Sequence, residues 1–170
     1  MYQRLQQCAS VPDFNNYLAF ILTRGEGAPD EVRQTAGLLL KNNLKSGWHA
    51  ASGENRVFIQ NALLRTLGHP TRFLRHTVGT CVSMIARAAG PTGWPEMYPA
   101  LADAVSAAAD PNLLDGGLDA VDKVCEGLGG GVGQHADPDT GTKHHREPGE
   151  AAEFWPLVIR AQANAARAGY

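Results

Sequence analysis

Apolar residues recur at helical spacing along most of the chain, in blocks separated by short turns rich in glycine and proline. No convincing strand alternation of apolar and polar residues is present. The blocks form three pairs, at roughly residues 12–48, 52–89 and 95–128. Because the turns are short, the two helices of each pair are expected to run antiparallel. The apolar faces of the first three blocks are predicted to include Tyr17, Val32 and Phe58.

Polar residues at the start of several blocks predict where the helices begin. Ser10 is placed to cap the first helix, and Asp13 favours the positive end of its dipole. Ser52 is placed to cap the third helix in the same way. Asp110 followed by Pro111 combines a capping residue with a first-turn proline, so this pair is predicted to open the sixth helix.

One stretch of the second block returns in the fourth block, 42 residues later. Residues 32–37 read Val-Arg-Gln-Thr-Ala-Gly, and residues 74–79 read Leu-Arg-His-Thr-Val-Gly. A period near 40 with two helices per unit is typical of HEAT and armadillo solenoids. Such units stack to bury their apolar faces and present a concave surface to other proteins. The repeat therefore predicts an all-α superhelix of about three HEAT-type hairpins, and a binding protein.

The helical pattern stops after residue 128. Residues 129–150 contain three consecutive glycines, two prolines and almost no apolar anchor, which predicts a flexible linker. A last helix is predicted for residues 151–170, where Phe154 and Trp155 precede an alanine-rich half. The sequence thus divides into helical repeats over 1–128, a linker over 129–150 and a C-terminal helix over 151–170.

Composition narrows the class of protein further. The net charge is -2, from 15 basic and 17 acidic residues, so no broad field favours nucleic acid or an anionic membrane. The longest apolar runs are too short for membrane insertion, and the first residues lack the apolar core of a signal peptide. The cysteines, Cys8, Cys81 and Cys125, are widely spaced, which favours reduced thiols and an intracellular protein.

No pattern of residues points to catalysis, to a metal or to a cofactor. The glycine-rich nucleotide-binding motifs, the HExxH zinc motif and the GxSxG nucleophile motif are all missing. His144 and His145 lie near His135 in the predicted linker, but metal ligands need a fixed geometry that this linker does not supply. We therefore predict that the protein is not an enzyme and binds neither metal nor cofactor.

Several short sequence motifs in the helical region resemble those of a known protein family. They are PDFNNYL at residues 12–18, AGLLLKNNLK at 36–45, RHTVG at 75–79, Trp94-Pro95, and KVCE at 123–126. Their order and spacing resemble the N-terminal HEAT repeats of the transportins, nuclear import receptors of the importin-beta family. The resemblance covers about residues 3–127.

The resemblance implies a function as well as a fold. Transportins bind the small GTPase Ran in its GTP form through their N-terminal repeats, and hold nuclear-localisation-signal cargo on later repeats. Ran and cargo favour different curvatures of the superhelix, so each lowers the affinity for the other. Nucleoporins are a further expected class of partner, and the expected location is shuttling between cytoplasm and nucleus through the nuclear pore. In the family the second helix of each pair lines the concave surface, here about residues 30–47, 71–88 and 111–127.

The resemblance also suggests site residues, each with a plainer alternative. The candidate GTPase contacts are Lys41, Asn42, Asn43, Lys45, Asp119 and Asp122. The alternatives are a solvated helix face for all six, and asparagines that tie turns together. Structural roles are predicted for four repeat positions, Arg33, Gly37, Arg75 and Gly79. The arginines are expected to bond a neighbouring repeat, through an aspartate such as Asp30 or Asp110, and the glycines to allow close helix packing.

Two departures from the family pattern bear on function. The chain begins inside what would be the first repeat, and it leaves the pattern after Glu126. We therefore expect the acidic loop and the cargo site of full-length transportins to be absent, so that cargo would bind only a full-length protein. A shortened transcript or an incomplete gene model would account for this. The alternatives to Ran binding are a generic HEAT scaffold and a non-functional truncated product.

Overall fold

The computed structural model describes residues 11–129 apart from 12, 26, 91 and 108. Within this part the chain forms six helices and no strand, as the hydrophobic pattern predicts. The helices are α1 Phe14–Arg24, α2 Asp30–Gly47, α3 Gly53–Leu64, α4 Arg72–Ala89, α5 Met97–Ser106 and α6 Pro111–Gly129. The predicted C-terminal helix, and the predicted linker beyond Gly129, lie outside the described residues.

The helices pack as three HEAT-type hairpins, α1 with α2, α3 with α4, and α5 with α6. The second helices of the hairpins form one layer in which α4 lies between α2 and α6. The first helices of the first two hairpins, α1 and α3, lie side by side in a second layer. This arrangement confirms the predicted pairing and places the predicted inner helices next to one another.

A continuous apolar core runs between the layers, and Leu22, Leu40, Leu63 and Val78 are among the fully buried side chains. Trp48 and Trp94 are also buried, close to the ends of α2 and α5. Burying one large aliphatic side chain contributes about 1.5–3 kcal/mol, so this core accounts for most of the cohesion between hairpins.

Three side chains that the hydrophobic pattern assigns to the core are exposed instead. Tyr17 is 63% exposed, Val32 48% and Phe58 42%. Neighbouring helices cover each of these side chains only in part. Helical spacing marks an apolar stripe, but it does not say how much of that stripe a neighbour will bury.

Two of the predicted caps are confirmed. The Ser52 hydroxyl accepts a hydrogen bond from the Asn55 backbone N–H at 3.2 Å, at the start of α3. Asp110 Oδ1 accepts from the backbone N–H groups of Asn112 and Leu113 at 3.0 and 3.1 Å, at the start of α6. Asp13 makes no side-chain cap on α1, and Ser10 lies outside the described residues.

The two glycines of the repeated word are sites of close helix contact, as predicted. A Cβ atom on Gly37 would lie 2.5 Å from Thr77 Cγ2 and 3.0 Å from Leu22 Cδ1. A Cβ atom on Gly79 would lie 2.6 Å from Asp119 Oδ2 and 3.4 Å from Ala120 Cα. The missing side chains leave room for the Thr77 methyl group between α2 and α4 and for the Asp119 carboxylate between α4 and α6.

Candidate partner-binding surface

The exposed side of the inner layer is the surface on which the candidate GTPase contacts lie. On α2, Asn42 and Lys45 are exposed and Lys41 is half-buried. On α6, Asp122 is exposed and Asp119 is half-buried. Because α4 separates α2 from α6, these two groups lie at opposite edges of the layer rather than in one cluster.

Asn43 differs from its neighbours on α2 because its side chain points towards α1. Its Nδ2 donates a hydrogen bond to Asn15 Oδ1 at 2.9 Å, and the pair is partly buried. A neutral hydrogen bond of this kind contributes about 0.5–1.5 kcal/mol to stability. Asn43 therefore ties the two helices of the first hairpin together, which matches the alternative interpretation of this residue.

Asp119 belongs to a small polar cluster between α4 and α6. It pairs with Lys123 one turn further along the same helix, and its Oδ1 lies 3.0 Å from His76 Nδ1 on α4. Lys123 Nζ also donates to the His76 backbone carbonyl at 3.0 Å. The Asp119 carboxylate is thus held within the fold, with about a quarter of its side chain still exposed.

Opposite charges mark the two edges of the inner layer. The C-terminal half of α2 carries Lys41 and Lys45, and neither forms an ion pair with any described residue. The exposed side of α6 carries Asp122 and Glu126 close to Asp119. A surface with a basic edge and an acidic edge complements a partner of mixed charge and not a uniformly anionic polymer.

Arg33 is buried, and it bonds the end of the preceding helix rather than an aspartate. Its Nε and Nη2 donate to the Leu22 backbone carbonyl at 3.1 and 2.9 Å. The expected partner Asp30 instead has its Oδ2 atom 3.2 Å from the Thr71 hydroxyl, which donates to it. The prediction of a link to Asp30 is wrong because a guanidinium at this depth reaches the free carbonyls at the end of α1 first.

Arg75 does bond the next hairpin, but through Asp115 and not through Asp110. Its Nη2 lies 2.6 Å from Asp115 Oδ2, and Nη1 donates to Asn112 Oδ1 at 3.1 Å. Nη1 also donates to the His69 carbonyl at 2.7 Å. Asp110 is occupied by the backbone N–H groups at the start of α6.

Burial affects the two cysteines of the described region. Burial raises the pKa of the Cys81 thiol to about 12, and burial followed by Asp122 raises the pKa of Cys125. Thiols of this kind are protonated and unreactive near neutral pH. Among the residues that the structure describes, no group of three potential metal ligands comes together. None of the described helices has the length and apolar character needed to cross a membrane.

Comparison with known proteins assigns the helical region. The sequence matches the importin-beta N-terminal domain over residues 2–69. It is 39% identical to Transportin-1 of Oryza sativa subsp. japonica over 126 residues, which are 74% of this chain and 14% of the relative. It is 34% identical to Transportin-1 of Homo sapiens over 124 residues, 73% of this chain and 14% of the relative. The matched part of the chain belongs to the importin-beta family, in its transportin group.

A fission yeast relative agrees with this assignment. Importin subunit beta-2 of Schizosaccharomyces pombe is 32% identical over 124 residues, 72% of this chain and 14% of the relative. The chain spans about 14% of the length of these curated relatives.

The sequence pattern did not lead us to predict the partners of Asp119 in the transportin-like repeats. The spacing of Asp119 and Lys123 is the i, i+4 spacing of a helical ion pair, which is a signal that the sequence offers. His76 carries no such signal, because it lies 43 residues from Asp119 and meets it only through the packing of α4 on α6.

Proposed function

We propose that this chain supplies the GTPase-binding N-terminal repeats of a transportin-like nuclear import receptor. Its partner is Ran in the GTP form, bound on the exposed side of α2, α4 and α6. The observation that carries the proposal is the unpaired basic edge of α2, Lys41 and Lys45 with Asn42, on a chain that belongs to the transportin group.

Within this surface, the exposed side chains are the ones we assign to partner contact. Lys41, Asn42 and Lys45 form the basic edge, and Asp122 belongs to the acidic edge. Asn43 and Asp119 are already engaged inside the fold, so we assign them to positioning α1 and α4. Because exposed ion pairs contribute only about 0.2–1 kcal/mol each, affinity at this surface depends on several contacts together.

The mechanism is differential binding and involves no chemical step. A GTPase bound to these repeats and a cargo bound to later repeats of a full-length receptor stabilise different curvatures, so each lowers the affinity for the other. The expected setting is transport between cytoplasm and nucleus, with nucleoporins as partners at the pore. The chain described here would contribute the GTPase side of this coupling.

The test is a titration of the purified chain with Ran loaded with a non-hydrolysable GTP analogue, and with GDP as the comparison. We expect binding to the GTP form and at least about tenfold weaker binding to the GDP form, which corresponds to ~1.4 kcal/mol. We expect the double variant Lys41→Glu/Lys45→Glu to weaken binding of the GTP form by a similar factor.

The matched control reverses the same number of charges on the other layer. Arg24 and Arg65 are exposed at the ends of α1 and α3, and Arg24→Glu/Arg65→Glu should leave the affinity for Ran unchanged. Equal losses in both double variants would show that net charge matters and not this surface. Binding that ignores the nucleotide would favour the alternative of a generic HEAT scaffold, and a soluble, helical chain that binds neither form would contradict the proposal.

A further inference from the structure

A groove runs between the first helices of the first two hairpins, on the layer opposite the candidate GTPase surface. It lies between α1 and α3 and has a volume of about 290 Å³. Phe20, Phe58 and Ala62 provide its apolar lining, and Thr23 and Asn61 provide polar atoms. This volume is at the lower limit of the roughly 300–1,000 Å³ of pockets for drug-sized ligands, so it suits one large side chain of a peptide.

The phenylalanines of the groove are exposed to an unusual degree. Phe20 is 50% exposed and Phe58 is 42% exposed, on two adjacent helices. Val57, next to Phe58, is 55% exposed. Single exposed apolar residues need no explanation, but two exposed aromatic residues that line the same groove offer an anchor site for an apolar side chain of a partner.

The rim of the groove is basic. Arg24 closes α1 and Arg65 follows the last residue of α3, and both line the groove. Neither guanidinium group forms a hydrogen bond or an ion pair with any residue that the structure describes. Among the residues that the structure describes, no acidic side chain lines the groove. The described lining of the groove is therefore positively charged, although the whole chain carries a net charge of -2.

The end of α1 does not cancel the charge of Arg24. A helix C-terminus carries a partial negative charge on its free carbonyl groups. At the end of α1 the Leu22 carbonyl accepts from Arg33 twice, and the Thr23 carbonyl accepts from Arg33 at 3.4 Å. The buried guanidinium of Arg33 thus offsets the dipole of α1, and it leaves Arg24 free to attract an anionic group from outside.

We propose that this groove binds an acidic peptide segment of a partner protein, with one aromatic side chain between Phe20 and Phe58 and flanking carboxylates on Arg24 and Arg65. A guanidinium pairs with a carboxylate through two hydrogen bonds and also stacks on an aromatic ring, so the two arginines favour a segment that combines both groups. This surface is separate from the candidate GTPase surface, and the inference does not rest on Ran binding.

Other occupants fit the groove less well. A second copy of the chain would bring the same two arginines against the first pair, and like charges oppose that contact. A nucleic acid draws its affinity from several phosphate contacts, whereas the described lining of this groove supplies two cations.

The test uses the full 170-residue chain and a fluorescein-labelled peptide with a central tryptophan between two runs of glutamate, followed by fluorescence anisotropy at low ionic strength. We expect Arg24→Ala/Arg65→Ala to weaken binding at least about fivefold, because two exposed ion pairs are lost. We expect Phe20→Ala/Phe58→Ala to weaken it by a similar factor, and added salt to weaken it further.

Matched controls keep the result specific to the groove. Arg72→Ala and Leu38→Ala change an exposed arginine and an exposed apolar residue on α4 and α2, and both should leave the affinity unchanged. Peptides with glutamine for glutamate, or with alanine for the tryptophan, should each bind more weakly. Circular dichroism of every variant must show the helical content of the parent chain.

Four outcomes would overturn the inference. The first is peptide binding that is indifferent to Arg24→Ala/Arg65→Ala, and the second is equal binding of the peptide that lacks tryptophan. The third is tighter binding of an oligouridylate than of the peptide at this groove. The fourth is a gain in peptide affinity in Phe154→Ala/Trp155→Ala, because that result would mean that the chain's own acidic and aromatic segment occupies the groove.

Discussion

At the scale of single residues, Arg33 and Arg75 are both buried at equivalent repeat positions, but their side chains bond different partners. Arg33 donates to a backbone carbonyl of α1 within its own hairpin, whereas Arg75 joins the second hairpin to the third through Asp115. Loss of Arg33 would leave a buried neutral carbonyl without a donor, whereas loss of Arg75 would leave a carboxylate without its charged partner. The two arginines therefore occupy the same position in the repeated motif but contribute to stability in different ways.

We expect Arg75→Ala to lower the free energy of unfolding by about 2–4 kcal/mol. Removal of one partner from a buried ion pair costs ~3–5 kcal/mol, and the lower figure applies here because Asp115 keeps some contact with water. Urea denaturation followed by circular dichroism would measure it. Arg72→Ala is the control on the same helix, because Arg72 is exposed and should change stability by less than about 0.5 kcal/mol. Similar losses in both variants would contradict this role.

His69 makes stability depend on pH in the acid range. Burial first, and then the Arg33 guanidinium, lower the pKa of His69 below its ordinary value of 6.5, while the charge of Asp30 acts in the opposite direction. The folded chain therefore holds fewer protons than the unfolded chain. The stabilisation is present above pH 6.5 and is lost as the pH falls through the folded pKa.

We expect the free energy of unfolding to fall between neutral pH and pH ~5, and His69→Gln to flatten this part of the profile. Urea titrations at a series of pH values would measure both. His49→Gln is the control, because His49 is exposed and its side chain forms no hydrogen bond or ion pair with the residues that the structure describes. An identical pH profile in His69→Gln and in the parent chain would count against His69 as the source.

At the scale of helices, the spacing of α6 from its neighbours depends on small residues. A Cβ atom on Gly116 would lie 1.9 Å from the Leu67 carbonyl oxygen, which is backbone and cannot turn aside. A Cβ atom on Gly117 would lie 2.7 Å from Ala104 Cβ on α5. These two adjacent glycines let α6 fit between α5 and the turn that follows α3.

We expect Gly116→Ala to destabilise the chain by about 1–3 kcal/mol, because the helix must move away from Leu67. Helix propensity alone predicts that this substitution stabilises the chain, since alanine is favoured over glycine within a helix by roughly 0.5–1 kcal/mol. Gly53→Ala at the start of α3 is the matched control. A Cβ atom there meets nothing within 4 Å, so this change should be neutral or slightly stabilising. Thermal unfolding of both variants would measure the difference, and the same sign in both would refute the packing argument.

At the scale of the whole molecule, the stacking of hairpins is what buries the core. Cys81 on α4 is fully buried and its Sγ lies 3.9 Å from the Gly37 carbonyl oxygen on α2. Its thiol therefore sits between the first and second hairpins. Cys125 on α6 is only half-buried. Access to Cys81 thus reports whether the first two hairpins remain stacked.

We expect iodoacetamide at mildly alkaline pH to alkylate Cys125 well before Cys81 in the native chain. A pKa of about 12 leaves almost no thiolate at Cys81, and burial blocks the reagent. Peptide mass spectrometry after timed quenching would give both rates. In denaturing urea the two rates should converge, which provides the control. Native rates that are equal at the two cysteines would mean that the first two hairpins separate readily.

The sequence by itself determined the six helices, their pairing, the caps at Ser52 and Asp110, and membership in the transportin group. These features depend on the spacing and the chemistry of residues that are close together in the sequence. The candidate surface was predictable as a set of helices, since the second helix of each pair could be recognised from the repeat.

Only the tertiary structure decided which side chains are available at that surface. In the folded chain, Asn43 bonds Asn15 and Asp119 contacts His76. The partner of Arg75 is Asp115. The fold also leaves Phe20 exposed beside Phe58. The physical reason is that burial and pairing depend on neighbours some 20 to 45 residues away along the chain, and these neighbours meet only when the hairpins stack.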